Sequence, residues 1–275
     1  MFDRQYSYNA ANQISQIVEP TRSRTFGYDN VDRLTSVTDA TYGNESYSFD
    51  DVGNRLTSHL ASGYGYQSGQ FNRLISATTA TQTVTYSHDA NGNTTTKADG
   101  ANFWRYTWDY ENRMAEAATR KEKVRYKFDA LGRHVQRIVG SGKENTKFTH
   151  DGLDVLVDDN AGTLTKYQNG PGIDNKLSLK TGSDVKYFLA DHLGSTNGLA
   201  DATGSLTAQS GYDAFGNATN AAFPTRYQFT GREYDQLTGL YHYRNRWYDP
   251  KLGRFISEDP IGFAGGDVNL YGYVG

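Results

Sequence analysis

A short phrase recurs along this chain: an aromatic residue, any residue, a second aromatic, Asp, two residues, Gly or Asp, then Asn or Arg. Clear copies are Tyr28-Asp29-x-x-Asp32-Arg33, Phe49-Asp50-x-x-Gly53-Asn54-Arg55, Trp108-Asp109-x-x-Asn112-Arg113 and Phe128-Asp129-x-x-Gly132-Arg133. The residue after the second aromatic falls at Asn9, Asp29, Asp50, Asp89, Asp109, Asp129 and Asp151. The gap from Asp50 to Asp89 holds two periods, and a degenerate copy with Tyr64, Tyr66 and Phe71-Asn72-Arg73-Leu74 fills it. A fixed period of about 20 residues marks an array of small units, not a conventional enzyme domain.

One period reads as a hairpin. Val124, Tyr126 and Phe128 alternate, so they share one face of a strand. Asp129 to Gly132 is turn chemistry: an Asp carboxylate accepts the backbone N–H two residues on, and Gly takes the left-handed conformation that closes the turn. Val135 then starts the return strand. Arg133, just past the turn, is placed to pair with a carboxylate or stack on a ring. A single hairpin cannot bury a face, so hairpins in series should form a long antiparallel ribbon that coils because strands twist. Rings at alternate positions then pair across strands, each pair adding about 0.2–1 kcal/mol. The stretch Asn112 to Lys123 has helical propensity through Met114, Ala115, Ala117 and Ala118. It falls where the repeat requires turn then strand, and the period outranks propensity, so strand is expected.

Composition agrees. The chain is 36% hydrophobic, with a mean hydropathy of −0.73, which is poor for an aliphatic core. Yet it carries 21 Tyr and 13 Phe, whereas disordered chains are poor in aromatics. The apolar surface should therefore be aromatic stripe. Net charge is −3 with no basic run, so electrostatics make no case for nucleic acid or an acidic membrane surface. The absence of Cys excludes disulfides and thiolate metal sites. The N-terminal residues hold no apolar stretch of the signal-peptide kind, and the run Leu153 to Val157, broken by Asp154, is too short to span a bilayer. The rhythm is already running at the first residues, as in a piece of a longer chain.

The regular repeats occupy residues 1–160; residues 161–275 are looser and are expected to continue the same sheet. No cofactor and no metal is expected. Asp191-His192 with Ser195 has neither nucleophile-elbow nor zinc-helix spacing; it replaces the repeat turn and reads as structural, as do His88-Asp89 and His150-Asp151. Each repeat Asp stands alone on its turn, which argues against calcium. Aromatic strips bind sugars by stacking, but wall packing is the commoner use.

The C-terminal block is the most specific part: Tyr248-Asp249-Pro250, Gly253-Arg254-Phe255, Asp259-Pro260-Ile261-Gly262 and Asn269-Leu270-Tyr271, in that order. With the repeats, it resembles the Rhs/YD-repeat family, whose repeat-associated core corresponds to the block from Tyr227 to Tyr273. The resemblance covers essentially the whole chain. It implies an all-β fold in which hairpin repeats form a spiralling sheet, part of a hollow cocoon-like shell. In bacterial members such a shell encloses a covalently linked C-terminal toxin. The implied setting is bacterial, secreted or at the cell surface after delivery by a specialised system, with other shell or delivery proteins as partners. A second reading, from wall-associated and teneurin-like relatives, is a surface module that contacts carbohydrate or a receptor.

The resemblance also implies an intramolecular aspartyl protease that cuts just after the core. Matching motif to motif, Asp259 and Arg246 are its candidate carriers. Such chemistry needs two carboxylates sharing a proton, and an Arg beside one would keep it ionised. The bland alternatives are a turn cap for Asp259 and stacking between Tyr243 and Trp247 for Arg246. Asp267 is a candidate second carboxylate by nearness in sequence. The family continues through Asn-Pro to an Asp-Pro-x-Gly-Leu segment bearing the scissile bond; the sequence here stops at Gly275, so self-cleavage by this chain as it stands is not expected. Its repeats are too few for a full shell, so the edge near Tyr6 and Tyr8 should be open and invite self-association.

Overall fold

The repeat phrase is a turn lock. In a computed structural model, which describes residues 3–69, 72–100, 102–142 and 144–273, the Asp29 carboxylate Oδ1 accepts the N–H groups of Val31 and Arg33, each at 3.0 Å. Its Oδ2 takes the Arg33 Nε–H at 2.7 Å. Asp109 with Arg113 and Asp129 with Arg133 repeat this pattern. At Asp50, Asp89 and Asp213 an Asn four residues on replaces the Arg. The residue three after each Asp is left-handed, with φ of 67° at Asp32, 76° at Gly53, 58° at Asn112 and 77° at Gly132. Gly, Asn and Asp tolerate that conformation best, which explains the composition of the phrase. Bonds also run from turn to turn: Arg33 donates to the Asp50 carbonyl and Asn93 to Asn112 Oδ1. The turns therefore stack along one margin of the ribbon. Phe71, part of the degenerate copy, lies outside the described residues.

Between the locks the chain is strand after strand, and within each sheet each strand pairs antiparallel with the next in sequence. Six strands, from Gln5–Tyr8 to Arg55–Ser58, form one sheet; fifteen, from Gly63–Tyr66 to Leu206–Gln209, form a second. Together they are the wall. The segment with helical propensity is the strand Met114–Ala118, with Ala117 opposite Tyr106 on one side and Val124 on the other. Among the described residues the only helical turns are short 3-10 pieces, Phe229–Gly231 and Gly262–Gly265.

From Tyr47 to Phe148 the first ring of each repeat faces inward. Tyr47, Tyr64, Tyr86, Tyr106, Tyr126 and Phe148 are all buried. What they bury against is the chain's own C-terminal segment, residues 210–273. Leu240, Trp247 and Ile256 pack on Tyr106, Met114, Val124 and Tyr126. Leu252 packs on Tyr64, Leu74 and Tyr86, and Tyr227 on Phe148 and Val155. This segment is a plug around which the wall coils. The wall also returns on itself: Arg4 Nη2 donates to Asn197 Oδ1 at 3.0 Å, and the Tyr6 and His192 rings meet edge-on at 5.1 Å. Gln5–Tyr8 remains an edge strand of its sheet.

The expected boundary at residue 160 falls on the hairpin that joins Asp154–Asn160 to Thr163–Asn169, inside the fifteen-stranded sheet. The expectation that residues 161–275 continue one sheet needs correction. The wall ladder stops at Leu206–Gln209, and Glu233–Asp235, Leu240–Tyr243, Arg246–Asp249 and Arg254–Phe255 form a separate four-stranded sheet. The physical reason is burial on all sides: Tyr241, Tyr248 and Tyr271 are at most 1% exposed, which a ribbon with one damp face does not allow.

Candidate functional site

Arg246 begins the strand Arg246–Asp249, and Asp259 follows Arg254–Phe255 on a turn. The structure brings the two together: Arg246 Nη2 lies 3.0 Å from Asp259 Oδ2. The guanidinium carbon lies over the Phe255 ring, 3.6 Å from its centre. Sheet geometry explains why it does not stack on Trp247. Neighbours along a strand point to opposite faces, whereas Arg246 and Tyr248 share one, and Phe255 stands opposite Tyr248. Burial pulls the Arg246 pKa below its ordinary value, and Asp259 opposes that shift. Asp259 is also a turn cap. Its Oδ1 accepts the Ile261 N–H at 3.1 Å, and its own N–H donates to the Leu270 carbonyl at 2.9 Å. One oxygen of this carboxylate thus meets Arg246 while the other caps the turn. Asp267 turns its Oδ1 to the Asn269 N–H; among the described residues no hydrogen bond or ion pair joins it to Asp259 or Arg246.

The turn-position motifs behave as structural parts. Asp191 Oδ1 accepts the Leu193 and Ser195 N–H groups, each at 2.9 Å. Ser195 is fully buried, and its hydroxyl accepts the Thr230 N–H at 3.0 Å. His88 is pushed down to about 4 by burial and by the cations of Arg254 and Arg73.

Sequence reasoning missed the ion pairs that bind wall to plug. Lys97 Nζ reaches Asp249 Oδ2 at 3.0 Å, and Arg137 Nε reaches Asp235 Oδ2 at 2.8 Å. Arg226 grips Asp158 at 2.8 Å and Glu233 at 2.6 Å. Burial would raise the Asp235 and Glu233 carboxyls; Arg137 together with the Tyr126 hydroxyl, and Arg226 together with His134 and His242, outweigh it and hold both below their ordinary values. A signal existed. The wall residue opposite the first ring of a repeat shares its inward face. It is apolar at Ile17, Val37, Ala77, Ala117 and Leu179, opposite Tyr6, Phe26, Tyr64, Tyr106 and Tyr167. It is charged at Lys97, Arg137 and Asp158, opposite Tyr86, Tyr126 and Phe148. Those three are the wall's ends of the ion pairs.

Beside this network His134, Glu233 and His242 form a cluster whose ligand-capable atoms lie within 4.8 Å of one another. Burial pushes His242 down to about 3, against the pull of Glu233. No helix among the described residues is long and apolar enough to cross a membrane.

Comparison with known proteins agrees with this architecture. The profile of the teneurin YD-shell family matches residues 2–265. A curated relative, the tRNA3(Ser)-specific nuclease WapA of Bacillus spizizenii, is 31% identical over 241 residues, which is 82% of this chain and 10% of that protein. The double-stranded DNA deaminase toxin A of Burkholderia cenocepacia is 28% identical over 310 residues, covering 98% of this chain and 21% of that one. The chain thus spans a tenth to a fifth of these relatives. Among solved structures, a Photorhabdus luminescens Tc holotoxin pore superposes with a TM-score of 0.61 at 17% identity, over 98% of this chain and 17% of that one. A TcdB2–TccC3 complex gives 0.59 at 16% identity, over 98% and 18% of the respective chains. These structures show the fold, and the family profile carries the assignment: the chain belongs to the teneurin YD-shell family, the YD-repeat lineage that its Tyr-Asp turns and C-terminal block resemble.

Proposed function

We propose that this chain is part of the shell of an Rhs-type polymorphic toxin, a coiled β wall that encloses a toxin covalently linked on its C-terminal side. The observation that supports this reading most is that the wall wraps its own C-terminal segment. Every inward ring from Tyr64 to Phe148 is packed on residues 227–256, and Tyr271, near the C-terminal end, is buried and donates to the Gly92 carbonyl of a wall turn, so the C-terminal side of the chain is held against the wall. Relatives that share the stretch are described as nucleases and a deaminase toxin. The repeat array of residues 1–160 and the core of residues 161–275 then act as one shell, with the working boundary at Gln209 where the wall ladder ends. Further turns in the parent protein supply the cargo space. The parent is bacterial and acts outside the cell that makes it.

Asp259 and Arg246 belong, in this proposal, to a self-cleaving aspartyl protease that is incomplete or vestigial here. The Arg246 guanidinium orients one Asp259 oxygen. A second carboxylate is needed to protonate the scissile carbonyl, and the described residues pair none with Asp259. The test is the parent protein with its natural continuation, followed by intact mass. A cleaved product is expected, and Asp259→Asn should leave the chain whole. Undiminished cleavage in that variant would remove Asp259 from the mechanism. A C-terminal cargo digested as fast in the intact shell as in a shell opened by Tyr248→Ala would end the enclosure reading.

A further inference from the structure

One buried cluster plays no part in the chemistry at Asp259. His134 opens the wall strand His134–Val139, Glu233 opens the plug strand Glu233–Asp235, and His242 lies on Leu240–Tyr243. Glu233 Oε2 is 3.4 Å from His134 Nδ1 and 3.8 Å from His242 Nδ1. The two histidines are only 5% and 4% exposed. His134 Nε2 and both ring nitrogens of His242 are buried without a hydrogen-bond partner among the described residues. The rings of Tyr126, Phe128, Phe148 and Trp247 surround the pair and keep the spot dry. Buried polar atoms are nearly always satisfied, so His242 Nδ1, orphaned at 3.8 Å from the Glu233 carboxylate, calls for an occupant between them.

We propose that His134, Glu233 and His242 bind one divalent metal ion of the borderline class, Zn2+ above all, and that this ion clips the wall to the plug. Two imidazole nitrogens and a carboxylate oxygen are a zinc donor set, whereas Mg2+ and Ca2+ demand oxygen ligands. Zn–N and Zn–O bonds of about 2.0–2.1 Å put the ligand atoms of a tetrahedral site about 3.3 Å apart. Two of the separations, 3.4 and 3.8 Å, are already close to that. Arg226 holds Glu233 Oε2 at 2.6 Å and also grips Asp158. One guanidinium against two carboxylates leaves the buried group one negative charge, which attracts a cation. The metal then shares Glu233 with Arg226, and a fourth position remains for water. The ligands lie up to 108 residues apart in sequence (134 to 242), so the ion ties together elements that the repeat lock cannot reach.

The test uses the untagged chain of residues 1–275, stripped with chelator and titrated with Zn2+ in a calorimeter and with Co2+ by visible absorption. The expected result is one Zn2+ per chain, a Tm raised by several degrees, and Co2+ bands of a four-coordinate nitrogen and oxygen site. His242→Phe keeps the aromatic pocket filled, so the chain stays folded; its Zn2+ affinity should fall by about 100-fold. Absence of stoichiometric binding, or a Tm unmoved by Zn2+, overturns the proposal. So does full-strength binding in both His242→Phe and His134→Gln, which would place the ion elsewhere.

Discussion

The Asp turns of the wall and two of the plug, at Asp235 and Asp249, share the bond from Oδ1 to the N–H two residues on and differ in the second oxygen, while Asp213 in the plug keeps the local lock to Asn217. In the wall, Asp29, Asp109 and Asp129 turn Oδ2 to an Arg four residues on. In the plug, Asp235 and Asp249 also accept turn N–H groups through Oδ1, but their Oδ2 atoms take Arg137 and Lys97 from the wall. A local lock closes one hairpin and is repeated along the ribbon. Each long-range lock is made once, without repetition along the ribbon, and joins elements far apart in sequence. The wall should therefore tolerate single losses additively, whereas damage to the plug should be felt by the whole molecule.

The largest expected effect is in the plug. Tyr248 is fully buried and donates to the Phe215 carbonyl at 2.8 Å. Tyr248→Ala should cost about 3–5 kcal/mol, as for other buried aromatics, read as a shift in the urea midpoint. A loss under 1 kcal/mol would mean that the plug is not a core. Next comes Asp235→Ala, which leaves the buried Tyr126 hydroxyl without its acceptor and the half-buried Arg137 with only the exposed Glu144. Breaking one side of a buried pair costs about 3 kcal/mol. Its effect should not add to that of Arg137→Met; simple additivity in a double-mutant cycle would contradict the shared network.

Acid should act through the plug and the ring row. Folded His88 and His242 lie at about 4 and about 3, below the ordinary 6.5. The unfolded chain therefore takes up protons that the folded one refuses. Stability is full above about pH 6.5 and drains as pH falls toward those values. Asp235 and Glu233, held below their ordinary values, add a further loss at lower pH. In chelator, Tm should decline from pH 6.5 to 4.5, and His88→Gln should remove part of the slope; a flat profile would refute this. The smallest effects belong to the wall. Asp129→Ala should cost about 1 kcal/mol through its turn bonds. Leu131→Ser on the same turn, where Leu131 is 77% exposed, should stay within about 0.5 kcal/mol. A cost at Asp129 as large as at Tyr248 would erase the distinction between the two regions.

The locks were legible in the sequence because each is local: Asp, left-handed residue and Arg or Asn all lie within five positions. The strand Met114–Ala118 was legible because the period overrode its helical composition. The plug was not, since Tyr227 to Tyr273 shows the same aromatic-Asp chemistry as the wall, and nothing local says that one wraps the other. Arg246 and Asp259 were named from a resemblance, and the structure pairs them, yet the Phe255 platform under Arg246 depends on which face of a strand each residue takes. Lys97, Arg137 and Asp158 look like solvent-face charges until their parity with the inward rings is followed. The partners of His134 lie about a hundred residues downstream, beyond any spacing rule.

Native-state hydrogen exchange on the whole chain tests most directly whether the plug is the core on which the wall closes. The amides of Leu240–Tyr243 and Arg246–Asp249 should exchange only by global unfolding, with the same free energy as those of Asn102–Trp108 and Lys123–Phe128. Rapid exchange in the two plug strands while those wall strands stay protected would show that the wall stands without its plug, and would contradict the account.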